Sequence, residues 1–190
     1  MAIIKYDIKC PKCNTKNRLK VNDEFDGSKI MDVINKEVFH ISCKKCNQSI
    51  FVEYPFKISN DIFLIHYTPT KSEEIIDEYH EYMRVCDTFD DLKEKLLIIN
   101  DNLNDIIIEF IKTFLISQMD EKLKDSTTEL RYNGLDKDNI LFSIIGSDKI
   151  IGCNKVFYDN LKKKMKLKKI KKCVLIDKYT YRKYYKMRLF

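Results

Sequence analysis

The sequence predicts an α+β fold, with a small metal-stapled ribbon at the N-terminus and a mixed α/β domain with two main helices behind it. Three observations predict it. Two short cysteine pairs, Cys10-Pro11-Lys12-Cys13 and Cys43-Lys44-Lys45-Cys46, lie in the first quarter of the 190 residues. Strand-like segments flank both pairs, and residues 18–22 alternate apolar and polar as a half-buried strand does. Beyond residue 88 the apolar residues fall instead at helical spacing.

Each element follows in order. Ile3–Lys9 is expected to be a strand leading into the first cysteine turn, and residues 18–22 a strand leaving it. Residues 23–35 form an irregular excursion with one helical turn near 29–34. Residues 38–42 enter the second cysteine turn and 49–54 leave it, with Pro55 ending the module. Strands are expected at 62–67 and 82–86. Thr88, with Asp91 three residues on, marks a helix start related to the capping box, and Leu92, Leu96 and Leu97 follow at helical spacing. A second helix begins near Asn104 and runs towards Lys122 or Lys124. Its stripe of Ile107, Ile108, Ile111, Leu115 and Met119 makes it the main core helix. Asn133-Gly134 reads as a turn, 140–145 as a strand stopped by Gly146, 157–169 as a helix and 173–176 as a strand. The expected partition is a ribbon module over 1–58 and a mixed α/β domain with a basic tail over 59–190.

The cysteine quartet carries the chemistry. Four thiolates suit a tetrahedral Zn²⁺ site with metal–sulfur bonds of roughly 2.3 Å and no open coordination position. The expected ligands are therefore Cys10, Cys13, Cys43 and Cys46, around one structural zinc. Pro11 fixes φ at about −65°, which suits the tight bend between two ligands. Asn14 and Asn47 follow the second cysteine of each pair, where such a bend needs φ > 0, and after Gly it is Asn that tolerates this best. A redox-active CxxC needs a helix starting at its first cysteine, whereas strands flank both pairs here. Cys86, Cys153 and Cys173 are scattered singly among apolar residues and read as small buried hydrophobes. A closed site of this kind stabilises folding and performs no catalysis.

These residues also carry a family resemblance. The Cys-Pro-Lys-Cys start, the second CxxC, Tyr54-Pro55-Phe56 and the stretch from Tyr82-Met83-Arg84-Val85 to Lys93-Glu94-Lys95 resemble the CpXC family, a bacterial and archaeal family named for its two cysteine motifs. The resemblance spans roughly residues 8–130. It departs at Lys44, which stands where the family has proline and which is not a ligand. What it implies is a fold and a metal, not an activity.

Composition bounds the rest. With 44% hydrophobic and 34% charged residues, the chain has the balance of a soluble globular protein. No apolar stretch approaches the roughly 20 residues of a membrane span, and the N-terminus lacks the basic start and apolar middle of a signal peptide. A cytoplasmic protein is expected. Charge is uneven along the chain: residues 1–60 carry 11 Lys/Arg against 7 Asp/Glu, 61–150 carry 10 against 20, and 151–190 carry 14 against 2. The last segment contains Lys162, Lys163, Lys164, Lys166, Lys168, Lys169, Lys171 and Lys172, eight lysines in twelve residues. They read as candidate nucleic-acid contacts, as a contact for an anionic membrane surface, as a solvated helix face, or as a face docked on the acidic cluster Glu73, Glu74, Asp77, Glu78 and Glu81.

P-loop, GxGxxG, GxSxG and HExxH signatures are missing from the sequence. The expectation is a non-enzymatic zinc module that presents a surface to a protein partner. The alternative is a nucleic-acid-associated protein acting through the lysine run.

Overall fold

The structure, a computed structural model, describes residues 3–69, 80, 82–119, 128–170 and 174–187. It is an α+β chain with four α-helices and several small sheets among those residues. Chain contacts divide it into one unit over Met1–Lys93 and another over Glu94–Ile170 with Val174–Phe190.

In the first unit, β1 (Ile3–Lys9) and β2 (Lys16–Asn22) pair antiparallel from Ile3↔Asn22 to Lys9↔Lys16. After β3 (Glu24–Asp26) come a 3-10 turn and the short helix α1 (Ile30–Ile34). Then β4 (His40–Ser42) and β5 (Ser49–Phe51) pair antiparallel around the second cysteine turn. Lys36 takes φ 63 and a 3-10 turn covers Glu37–Phe39, so the expected strand at 38–42 is shortened to its last three residues. β6 (Phe56–Ser59), β7 (Phe63–Tyr67) and β8 (Tyr82–Cys86) complete a mixed sheet of order β3-β6-β7-β8, in which β6-β7 is antiparallel and the other two pairings are parallel. Phe39, fully buried, holds this unit together. Its ring lies 5.6 Å from those of Phe51 and Tyr54, 5.8 Å from Phe56, 6.2 Å from Tyr67 and 5.7 Å from Phe89. Tilted and edge-on aromatic contacts of this kind stabilise by about 0.5–1.5 kcal/mol each beyond their buried area.

Helix α2 (Phe89–Asn100) begins at the expected cap: the Asp91 amide donates to Thr88 Oγ1 at 3.1 Å, and that hydroxyl donates to Asp91 Oδ2 at 2.6 Å. In the second unit, Asn104 Oδ1 caps α3 (Asp105–Gln118) by accepting from the Ile106 and Ile107 amides. Ile106, Ile107, Ile108 and Ile111 are buried, and Leu115 and Met119 pack against the same core. This is the core helix the stripe predicts, but it ends at Gln118; Lys122 and Lys124 lie outside the described residues. The core is completed by the meander β9 (Leu130–Asp136), β10 (Asn139–Ile144) and β11 (Ile150–Asn154), by α4 (Lys155–Lys164), and by the pair β12 (Met165–Leu167) and β13 (Tyr185–Met187).

Three expectations are corrected here. Asn133-Gly134 is no turn: the register passes from Phe142↔Tyr132 to Leu141↔Gly134, so Asn133 is the extra residue of a β-bulge and Gly134 supplies its φ of 116. The chain reverses instead at Lys137-Asp138, with Lys137 at φ 51. The helix expected over 157–169 stops at Lys164, because Met165 turns extended and its buried side chain starts β12. Among the described residues the expected strand at 173–176 keeps a single bridge at Val174; Cys173 lies outside them.

Candidate metal centre

Each cysteine pair sits in a turn clamped by its own hairpin. The residue before the first cysteine pairs with the residue three beyond the second: Lys9↔Lys16 in one hairpin and Ser42↔Ser49 in the other. Inside these clamps the backbone hydrogen bonds repeat. The Cys10 amide donates to Thr15 O at 3.0 Å and Asn14 N to Cys10 O at 2.9 Å, while Cys43 N donates to Gln48 O at 2.9 Å and Asn47 N to Cys43 O at 3.0 Å. Asn14 and Asn47 take φ 57 and 53, the left-handed conformation expected of them. For an L-residue without a short polar side chain that conformation costs roughly 1–2 kcal/mol. Asn47→Ala is therefore expected to lower the stability of the metal-loaded protein by about 1 kcal/mol, and Asn47→Gly to leave it equal or raised; thermal unfolding of the two variants checks this.

The hairpins bring all four sulfurs within 4.8 Å of one another. Cys10 Sγ lies 3.7 Å from Cys46 Sγ, and Cys13 Sγ 3.7 Å from Cys43 Sγ. A regular tetrahedron of metal–sulfur bonds of about 2.3 Å has edges of about 3.8 Å, so the spacing fits one enclosed ion. Cys10 and Cys43 are fully buried, and Cys13 and Cys46 half-buried.

The surroundings favour thiolates. The Lys45 and Cys46 amides pull the Cys43 thiol down to about 6, with Lys45 N at 3.5 Å from its sulfur. The Thr15 hydroxyl, 3.2 Å from Cys13 Sγ, and the Thr15 amide hold Cys13 below the ordinary thiol value. Cys46 has the Gln48 amide to favour its thiolate, yet burial and the other three thiols push it up to about 11. Four ionised sulfurs at this separation repel one another, and a dication between them removes that conflict.

Asn17 is the residue that reading the sequence did not find. Its amide Nδ2 donates to Thr15 O at 2.8 Å and lies 3.6 Å from Cys43 Sγ, while its Oδ1 accepts from the Lys44 amide at 3.0 Å. It thereby ties the first hairpin to the second cysteine turn. The available signal was a polar residue on the inward side of β2, where positions 17, 19 and 21 are buried in alternation.

The other candidate residues belong to other elements of the chain. Lys162, Lys163 and Lys164 end α4, Lys166 stands in β12, and Lys168 and Lys169 follow outside regular structure. All six are exposed, with Lys168 Nζ donating to Lys183 O at 2.5 Å. Lys171 and Lys172 lie outside the described residues, as do Glu73, Glu74, Asp77, Glu78 and Glu81. Cys153 is a half-buried thiol pushed up to about 11 by burial, and Cys86 is buried.

Two antiparallel hairpins that bring four cysteines into one cluster define a ribbon-type protein with four thiols positioned to bind a metal ion. Residues 8–112, more than half of the chain, match the family model described as CpXC protein, and the chain belongs to that family. No curated protein and no solved structure gives a significant match. Among the described residues no helix is long and apolar enough to cross a membrane.

Proposed function

We propose that the four cysteines hold one structural Zn²⁺ and that the chain is a non-enzymatic binding module whose recognition surface this ion keeps in shape. The observation that carries the reading is the closed quartet of sulfurs within 4.8 Å. All-sulfur donation favours zinc or iron over hard cations, and tetrahedral Cys₄ sites are the common structural form of zinc. Bound zinc would supply charge neutralisation and a cross-link between the two hairpins. With all four positions taken by protein there is none left for substrate or water, so the ion has no catalytic part.

Metal analysis of the purified chain tests this. About one zinc per polypeptide is expected, together with a fall in thermal stability on chelation that added zinc reverses. Protein that is metal-free yet folded, with unchanged stability after chelation, would overturn the reading; iron in place of zinc would overturn the choice of metal.

A further inference from the structure

We propose that the outer face of the β1–β2 hairpin binds the phosphate backbone of duplex nucleic acid. This rests on the reading of the chain as a metal-held binding module and names its ligand.

The face follows from the register. Lys5↔Lys20, Asp7↔Arg18 and Lys9↔Lys16 are cross-strand partners, and all six side chains are exposed. The intervening Leu19 and Val21 are buried, as is Asn17, and Tyr6 and Ile8 are half-buried. One side of the ribbon therefore presents five cations against one carboxylate. Asp7 is engaged by Arg18 at 3.1 Å, which leaves four lysines facing solvent around that pair. Side chains on one face recur about every 6.7 Å along a strand and about 4.8 Å across strands, so the cations occupy a patch roughly 14 Å long.

Two of the three cross-strand partnerships set lysine opposite lysine, an arrangement that costs stability. An anionic ligand relieves that repulsion. At the knuckle end the patch opens into a groove of about 530 Å³, lined by Lys9, Lys16, Arg18, Lys44, Asp7 and Asn17. Asn17 forms part of that lining while holding the Lys44 amide and contacting Cys43 Sγ, so the metal centre and the groove share a residue.

The chemistry of the face selects the ligand. Apart from half-buried Ile8, the groove lining is polar, whereas protein interfaces carry a core depleted of charge and enriched in aromatics. No aromatic ring stands among the six exposed side chains, so the face lacks the stacking platform with which single strands are held. Its cations are mostly lysines, which act as point charges and release counterions from a duplex carrying one charge per about 1.7 Å of axis. Such contacts are independent of base sequence.

Fluorescence anisotropy with labelled 20-base-pair DNA and RNA duplexes, at several salt concentrations, tests the proposal. Wild-type protein should bind both, with the logarithm of affinity falling by roughly 0.9 per tenfold-salt step for each lysine engaged. The variant Lys9→Gln/Lys16→Gln/Lys20→Gln/Lys44→Gln should keep its zinc, keep or raise its melting temperature as the lysine–lysine repulsion is removed, bind on the order of tenfold or more weakly, and lose about three to four units of salt slope. A companion variant with Lys162, Lys163, Lys164 and Lys166 changed to Gln should bind as wild type. The inference is overturned if the hairpin variant binds as wild type, if only the companion variant loses binding, or if poly-glutamate or anionic vesicles bind as tightly as the duplexes. Those results leave the zinc reading intact, because the metal content is measured on the same samples.

Discussion

Replacing Cys43 by serine is expected to abolish stoichiometric metal binding and to unfold the hairpins β1–β2 and β4–β5, while the second unit keeps its fold. Cys43 is the cysteine with the most support: it is fully buried, receives Lys45 N at 3.5 Å and has Asn17 Nδ2 at 3.6 Å. Serine at this position offers a hard, protonated oxygen in place of a soft thiolate, and three sulfurs remain to hold an ion that prefers four. Structural zinc supplies about 10–16 kcal/mol of apparent free energy in small peptides at neutral pH. Ordinary domain stability is only about 5–15 kcal/mol. Ion and fold should therefore be lost together. Around the site the packed core is small, consisting of Cys10, Cys43 and Ile50 with half-buried Ile8, Cys13, Ile41, Cys46 and Val52 against them. Hydrogen exchange resolves the outcome by element: amides of β1, β2, β4 and β5 should lose protection, and those of α3 and β10 should keep it. Cys153→Ser, made in parallel, should retain the metal. A Cys43→Ser protein with full zinc content and protected hairpin amides would remove Cys43 from the ligand set.

Much of this centre was legible because a metal knuckle is local. Spacing, turn chemistry and positive φ are decided within five or six residues, and Asn14 and Asn47 show this at φ 57 and 53. Strands β7 and β8 and helices α2 and α3 were also readable, since Thr88 and the isoleucine stripe signal through nearest neighbours. What escaped depends on which segments pair with which. β3 is three residues long and exists through its parallel pairing with β6, from Glu24↔Lys57 to Asp26↔Ser59. Asn133-Gly134 has the composition of a hairpin turn, but it became a bulge because the neighbouring Lys137-Asp138 closes the hairpin. The lysine run had helical spacing through Met165, yet pairing of Met165 and Leu167 with Met187 and Tyr185 drew the chain into a strand. Asn17 looked like an ordinary strand residue until the second hairpin was placed beside it.

The second large effect is expected inside the other unit, where Glu94→Ala should destabilise by about 3–5 kcal/mol. Glu94, Lys95, Asp105, Glu109 and Lys112 are all buried. Lys112 Nζ lies 3.1 Å from Glu94 Oε1 and 2.8 Å from Glu109 Oε1; Lys95 Nζ lies 3.3 Å from Asp105 Oδ2 and 3.7 Å from Glu109 Oε1. Glu94 Oε1 also accepts from the Tyr132 amide at 2.6 Å, which ties helix α2 to strand β9. Alanine at 94 removes one of the two carboxylates around a buried ammonium and leaves a buried backbone N–H without its acceptor. Glu94→Gln keeps an acceptor for Tyr132 and should cost less. Glu109 behaves differently. Burial pushes its carboxyl above the ordinary 4.5 in spite of Lys112 and Lys95, and its Oε2 has no hydrogen-bond partner among the described residues. A raised folded-state value means that the stability Glu109 contributes is fully present below about 4.5 and declines as pH rises through the folded value. Glu109→Gln should flatten that decline and cost less at neutral pH than Glu94→Ala. Urea unfolding of the three variants at pH 5 and pH 7.5 gives the comparison. A Glu94→Ala cost below about 1 kcal/mol would mean that water replaces the lost carboxylate, and the network would then not be the tie between α2, α3 and β9.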